Sequence, residues 1–342
     1  VLRDDRGFIL ITALLVIALL FPLVLAFNSR VQLNLIQAEN FKNSVQALLI
    51  ARSGVEGSIG ILKTDDPTYD SRRDRWGMAF PSFALAAGVL TVSIVDEDGK
   101  IPVNRIVKIV QPAQPKGGGT PPQGSTPAPA ANGTPEKTTE VDQEIDARLR
   151  SLITNLGGKP EIVDALIDWI DADDDVTGED GAENDYYRKL GRQCKNGPLD
   201  SLDELLMIRG FDKDLVVYKK LKEYLTVAQV GDGKINVNTA PLPVLQAVLG
   251  TQTTALPQPL NESDIEDIAH YREEHELKTL QDIGGAIKIS QDQLGKISGL
   301  VKVNSTFFTV NSRYTIGKVV KNVEAMLRRD GITVTTISWR EF

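Results

Sequence analysis

The stretch Phe8 to Phe27, FILITALLVIALLFPLVLAF, carries no charge. Its length of about twenty residues, at 1.5 Å per helical residue, spans a ~30 Å hydrocarbon core. A helix buried in a soluble core rarely stays apolar on every face for so long. The run therefore divides the chain into a membrane end and a folded end. Arg3 and Arg6 in the flank VLRDDRG favour keeping that flank in the cytoplasm and the bulk of the chain outside. An ordinary secretory signal has a shorter apolar region, of ~7–15 residues, and a small-residue cleavage site. Leu25, Ala26 and Phe27 make a poor site of that kind, so retention of the anchor is expected.

Beyond the run, Val31, Leu35, Ala38, Phe41, Val45, Leu48 and Leu49 recur at three- and four-residue steps, with Gln32, Asn34, Gln37, Glu39, Lys42 and Asn43 between them. One rod is predicted from Phe8 to about Leu62, on the order of 80 Å long. Pro22 lacks an amide hydrogen and crowds the carbonyl of Ala18, which predicts a kink. Gly88 to Val95 then alternates apolar and small polar residues and closes on the turn Asp96-Glu97-Asp98-Gly99. Ile101-Pro102-Val103-Asn104 resumes an extended run, with Pro102 suited to a sheet edge.

Residues 111–141 have almost no large apolar side chain and read as a disordered Pro/Gly/Thr linker, because nothing there offsets the entropy of ordering. Residues 142–303 then read as short helices. Ile145, Leu149, Leu152, Ile153 and Leu156 form a stripe stopped by Gly157-Gly158, and Pro160 opens a helix ending near Trp169 and Ile170. Ser201 and Glu204 have capping-box spacing, Thr239-Ala240-Pro241 starts a helix running to Gly250, and Ser263 is expected to cap another. Residues 304–342 return to β character. The helical block is therefore expected to interrupt a single sheet.

A net charge of −8 argues against a general nucleic-acid binder. The single cysteine, Cys194, excludes an intramolecular disulfide and reads as an unremarkable loop thiol. No catalytic constellation emerges: His270 and His275 are five apart on a charged helix, which places them on different faces, and no nucleophile elbow or phosphate-cradling loop is present. The densest chemistry is DWIDADDDVTGEDGAENDYY, Asp168 to Tyr187. Its carboxylates repel one another unless a cation compensates, and oxygen-only ligands around glycines favour calcium over zinc; taken alone, such a loop reads equally well as a solvated acidic surface. It is not an EF-hand, because counting from Asp171 the sixth position is Val176 and the twelfth Ala182, where that loop needs Gly and Glu.

With its basic flank, Arg6-Gly7 and then Phe8-Ile9-Leu10-Ile11-Thr12, the chain resembles type IV pilin-like proteins, and specifically the pseudopilins of type II secretion. In that family a prepilin peptidase cuts after the glycine and methylates the new N-terminus, so the resemblance makes residues 1–7 a leader and places the cut between Gly7 and Phe8. Most pilins carry a glutamate where this chain has Thr12. Within the family, the minor pseudopilin group called general secretion pathway protein K lacks that glutamate and sits at the filament tip. Members of this group share an Asp-x-Asp stretch followed by Gly-Ala-Glu and Asp-Tyr-Tyr and bind calcium there. Carried over by position, the implied ligands are Asp171, Asp173, Asp175, Glu183 and Asp185. The segments DEDGKIPVN and Asn196-Gly197-Pro198-Leu199 are similar to the same group.

Ile235-Asn236-Val237-Asn238-Thr239-Ala240-Pro241 is similar both to protein K and to helix-hairpin-helix modules, including those of membrane-anchored competence DNA receptors, which is the alternative reading. Few cations surround it, so it reads as a packing element with no nucleic acid expected.

The resemblance implies an α+β fold: a pilin-like helix whose first part, 8–27, crosses the inner membrane, packed through 28–110 on a small antiparallel sheet. A helix-hairpin-helix or SAM-like α domain is inserted between strands, and residues 304–342 complete the sheet. It implies a non-enzymatic subunit with its bulk in the periplasm. The implied partners are other minor pseudopilins, the major pseudopilin and the secretin channel.

Overall fold

The computed structural model describes residues 6–110, 138–211 and 215–342. Helix α1 is Arg6–Thr64, a 59-residue rod that stays helical on both sides of Pro22. At 1.5 Å per residue it is on the order of 90 Å long. Among the described residues it is the one helix long and apolar enough to cross a membrane, and the apolar part is exposed. Further along, Ala47, Ala51, Val55 and Leu62 are buried. Their steps of four and seven put them on one face, which α1 lays against a sheet. Gly54 lies on that contact. A Cβ there would fall 2.3 Å from Ser312 Oγ and 3.0 Å from a methyl of Val92, so only glycine lets the helix come this close.

The sheet begins with β1 (Phe83–Leu85) and β2 (Gly88–Asp96). In β2, Leu90, Val92 and Ile94 are buried while Val89, Thr91 and Ser93 face outward, as the alternation predicts. The insertion follows: β3 (Ile101–Pro102), a 3-10 turn (Val103–Ile106), β4 (Val107–Val110), β5 (Thr138–Val141), α2 (Gln143–Asn155), α3 (Ile162–Ile170), α4 (Asn184–Arg188), a 3-10 turn (Leu202–Met207), α5 (Leu215–Tyr224), β6 (Leu225–Thr226), β7 (Ile235–Asn236), α6 (Leu242–Leu249), α7 (Glu262–Glu274), α8 (Gln291–Ile297) and β8 (Val301–Lys302). The chain closes with β9 (Phe307–Ile316), β10 (Val319–Asp330) and β11 (Thr333–Glu341).

The strand order is β1-β2-β9-β10-β11, antiparallel throughout. β2 and β9 are hydrogen-bonded neighbours although residues 97–306 intervene, so the helical domain is an insertion into one sheet. Among the described residues two large apolar cores result, with a small cluster of Ala228, Val230 and Phe307 beside them. One lies between α1 and the sheet, where Trp76 and Phe308 meet edge to face at 5.0 Å; the other fills the inserted domain.

Four local expectations are corrected. Val103-Asn104 belong to a 3-10 turn, because Pro102 ends a two-residue pairing with β6. Residues 138–141 are not linker but strand β5, paired antiparallel with β4; their Thr-Thr-Glu-Val sequence includes β-branched side chains suited to it. The rest of the expected linker, 111–137, lies outside the described residues. Ser201 and Glu204 do form the capping box, but over a short 3-10 turn rather than an α-helix. Asn261 caps α7 in place of Ser263, accepting from the Asp264 amide at 2.8 Å.

Candidate metal centre in the acidic loop

The loop leaves the end of α3 and returns at the start of α4. Asp168 sits in the last turn of α3 and Asp171 is its C-terminal cap, three residues on and hence on the same side. Glu183 immediately precedes α4. One carboxylate oxygen from each of Asp168, Asp171 and Glu183 lies within 4.8 Å of the other two, and all three side chains are buried. Asp168 Oδ1 accepts the Thr177 amide at 2.9 Å, whereas Asp168 Oδ2, Asp171 Oδ1 and both oxygens of Glu183 are buried without a partner. Unpaired buried polar atoms are rare in folded proteins, and four in one place call for an explanation.

Electrostatics point the same way. Burial, and then the charges of Asp173, Asp168 and Asp175, push Asp171 up to about 7. Burial, with Asp168, Asp171 and Asp174 behind it, pushes Glu183 up to about 8. Burial raises Asp168 as well, against the hydrogen bonds from Thr177. Two oxygens bound to one ion at 2.3–2.6 Å lie at most about 5 Å apart, so this donor set fits a single hard, oxygen-seeking cation.

Of the five residues carried over by position, the structure brings only Asp171 and Glu183 together. Asp173 is exposed: its Oδ1 accepts the amide of Asp175 at 3.0 Å, and its carbonyl accepts Asn196 Nδ2 at 2.9 Å. Asp175 is exposed. Asp185 points outward beside Arg188, 3.7 Å away. The missed member is Asp168, and its signal was the three-residue spacing to Asp171 across the helix end.

The surroundings hold the loop shut. Gly181 approaches so closely that a Cβ would lie 2.5 Å from Asp168 Oδ2. Arg209 donates to the carbonyl of Gly181 at 2.8 Å and lies over the Tyr186 ring. Asn196, from the Asn-Gly-Pro segment, tethers the loop through Asp173. Cys194 is buried rather than on a loop surface, its Sγ donating to the carbonyl of Asp168 at 3.3 Å; burial pushes its thiol up to about 12 and leaves it inert.

The Asn236-to-Thr239 motif is spent on packing. Asn236 Nδ2 donates to the carbonyl of Asp70, to Asp96 and to Ser305, while Asn238 pairs with the backbone of Leu277. His270 and His275 are both exposed on α7 and just past its end. At the N-terminal end, Gly7 lies in the first turns of α1, Phe8 is exposed, and Thr12 Oγ1 donates to the carbonyls of Phe8 (3.0 Å) and Ile9 (2.9 Å).

The family model for type II secretion system (T2SS), protein K, matches residues 107–230. The type II secretion system protein K of Pseudomonas aeruginosa (strain PAO1) is 27% identical over 262 residues, covering 72% of this chain and 68% of that protein. Residues 107–230 carry the protein K domain of type II secretion, and the chain is similar to protein K over most of its length. Its fold is shared with the crystal structure of the GspK-GspI-GspJ complex from the enterotoxigenic Escherichia coli type 2 secretion system, with a TM-score of 0.61 at 17% identity, covering 90% of this chain and 99% of that one. The shared fold accounts for the long helix, the interrupted sheet and the inserted domain together.

Proposed function

We propose that this chain caps the tip of a periplasmic pseudopilus and supports protein export through a type II secretion system, without chemistry of its own. The observation that carries the reading is the placement of the inserted domain. It joins the sheet beside the end of α1, where the Asp70 amide donates to the carbonyl of Val303 at 2.8 Å. A broad domain seated at the end of the rod away from the membrane leaves no room for another subunit to stack above it. Thr12 supports this: its hydroxyl is satisfied within its own helix and offers no carboxylate to the amine of a neighbour in lipid.

In this reading the first part of α1 anchors the chain in the inner membrane by a single pass, the bulk lies in the periplasm, and prepilin peptidase cuts between Gly7 and Phe8 and methylates Phe8. The partners are two other minor pseudopilins in a heteromeric tip, the major pseudopilin below and the secretin channel around them; the relative solved with GspI and GspJ supports the first. Calcium is the ion of the acidic loop, held by Asp168, Asp171 and Glu183, with the role of fixing the loop against the Asn196 segment.

The test is co-purification of the full chain in detergent with two other minor pseudopilins of its own system, together with complementation of a strain lacking protein K. A stable heteromeric complex and restored export are expected. Failure of both sinks the reading.

A further inference from the structure

A second group of carboxylates meets where α1 stops. The helix ends at Thr64 and the chain turns through Asp65, Asp70 and Asp74. One carboxylate oxygen from each lies within 4.8 Å of the other two, again the span of a single ion's coordination shell. Asp70 is fully buried. Its Oδ2 takes the Arg329 guanidinium and the Ser305 amide, while its Oδ1 has no partner. A fully buried carboxylate oxygen left without a donor is costly, and it stands inside a cluster of like charge.

The cations nearby do not balance the group. Arg329 serves Asp70 and reaches Asp65 at 3.4 Å, one positive charge against three carboxylates. Arg73 turns its guanidinium to the carbonyls of Glu273 and Glu274, and among the described residues no ion pair joins Arg75 to the cluster. The last carbonyls of α1 add the negative end of its dipole. Thr64, Asp65 and Asp74 line a cavity of about 330 Å³ beside the cluster, together with Arg73 and Arg75.

We propose that Asp65, Asp70 and Asp74 form a second site for a hard divalent cation of the calcium class, which clamps the end of the anchor helix to the point where the inserted domain returns to the sheet. Burial holds all three carboxyls above the usual carboxylate range, a strain that a bound cation relieves. The site shares no residue with the acidic loop, and it stands or falls independently of the tip reading.

The experiment uses the full chain in detergent with terbium, a luminescent stand-in for calcium, excited through tryptophan; Trp76 lies two residues beyond Asp74 and Trp169 beside the loop. The background carries Asp171→Asn and Glu183→Gln, which empties the loop. In that background one ion still binds, calcium competes it away, and its sensitised emission is lost on Trp76→Phe or on Asp65→Asn with Asp74→Asn. Loss of all terbium binding in the Asp171→Asn, Glu183→Gln chain while its circular dichroism matches the parent overturns the proposal. Binding that survives Asp65→Asn with Asp74→Asn unchanged also overturns it. If those two substitutions unfold the chain, Trp76→Phe decides: emission that persists places the ion elsewhere.

Discussion

Ser305 Oγ donates a 2.6 Å hydrogen bond to Asp96 Oδ2, joining the last residue of β2 to the segment that leads into β9. The same oxygen of Asp96 accepts Thr239 Oγ1 at 2.5 Å and Asn236 Nδ2 at 3.1 Å, and Asn236 Nδ2 also donates to Ser305 Oγ at 2.7 Å. The departure and return of the inserted domain, and its Asn-Val-Asn-Thr motif, thus converge on one buried carboxylate. Such a network ties the domain to the sheet, because each missing donor leaves a buried carboxylate oxygen short of a partner.

Removal of one donor should therefore be felt globally. Ser305→Ala is expected to lower stability by about 1–3 kcal/mol, the usual cost of leaving a buried hydrogen-bonding group unsatisfied. Urea denaturation of the full chain in detergent measures it, and a midpoint unchanged from the parent would remove the network from the account of the junction.

The junction also predicts a pH dependence. Asp98 is buried, its Oδ2 accepting the Thr306 amide and the Phe307 amide at 3.3 Å; burial and then the charge of Asp96 push it up to about 7, with Lys302 opposing at 3.5 Å. An acid whose folded pKa lies above its unfolded value of 3.8 binds more protons in the folded chain. Its contribution is complete below about pH 4 and is lost as pH rises through about 7. In chelator, melting temperature should fall between pH 5 and pH 7.5 by less in Asp98→Asn than in the parent; equal slopes would assign the dependence to other groups.

Calcium should raise the melting midpoint by mass action, worth about 2.7 kcal/mol at a hundredfold excess over the dissociation constant. The part of the shift due to the loop should vanish in Asp171→Asn with Glu183→Gln and fall in Asp168→Asn, while Asp173→Asn and Asp185→Asn leave most of it. Loss of the shift in Asp185→Asn alone would restore the positional ligand set over the observed cluster.

Gly54 offers a steric test of how α1 seats on the sheet. Gly54→Ala should cost about 1–3 kcal/mol through overpacking against Ser312, and Ser312→Ala should recover part of the loss by removing the hydroxyl. A double-mutant cycle in chemical denaturation gives the coupling. Strict additivity would mean that the helix shifts away instead.

What was legible beforehand was whatever a local pattern encodes. The charge-free run to Phe27, the alternation of Leu90, Val92 and Ile94, and the Ser201–Glu204 box each set a period or a cap within a few residues. The stripe from Val31 to Leu49 did not mark the sheet-facing side of α1: Val45 and Leu49 are exposed, and the small residues Ala47 and Ala51 with Val55 make the contact. The acidic loop was visible as a local density of charge. Tertiary structure decided which of its carboxylates meet. Asp173 and Asp175 follow Asp171 closely yet face solvent, whereas Asp168 and Glu183 converge with Asp171 because a helix end and a helix start are packed side by side. The chain alone determined that a rod with an apolar end would carry an interrupted sheet and an acidic loop. Long-range packing decided which charges are stripped of water together, because desolvation depends on what surrounds a group in space and not on its neighbours along the chain.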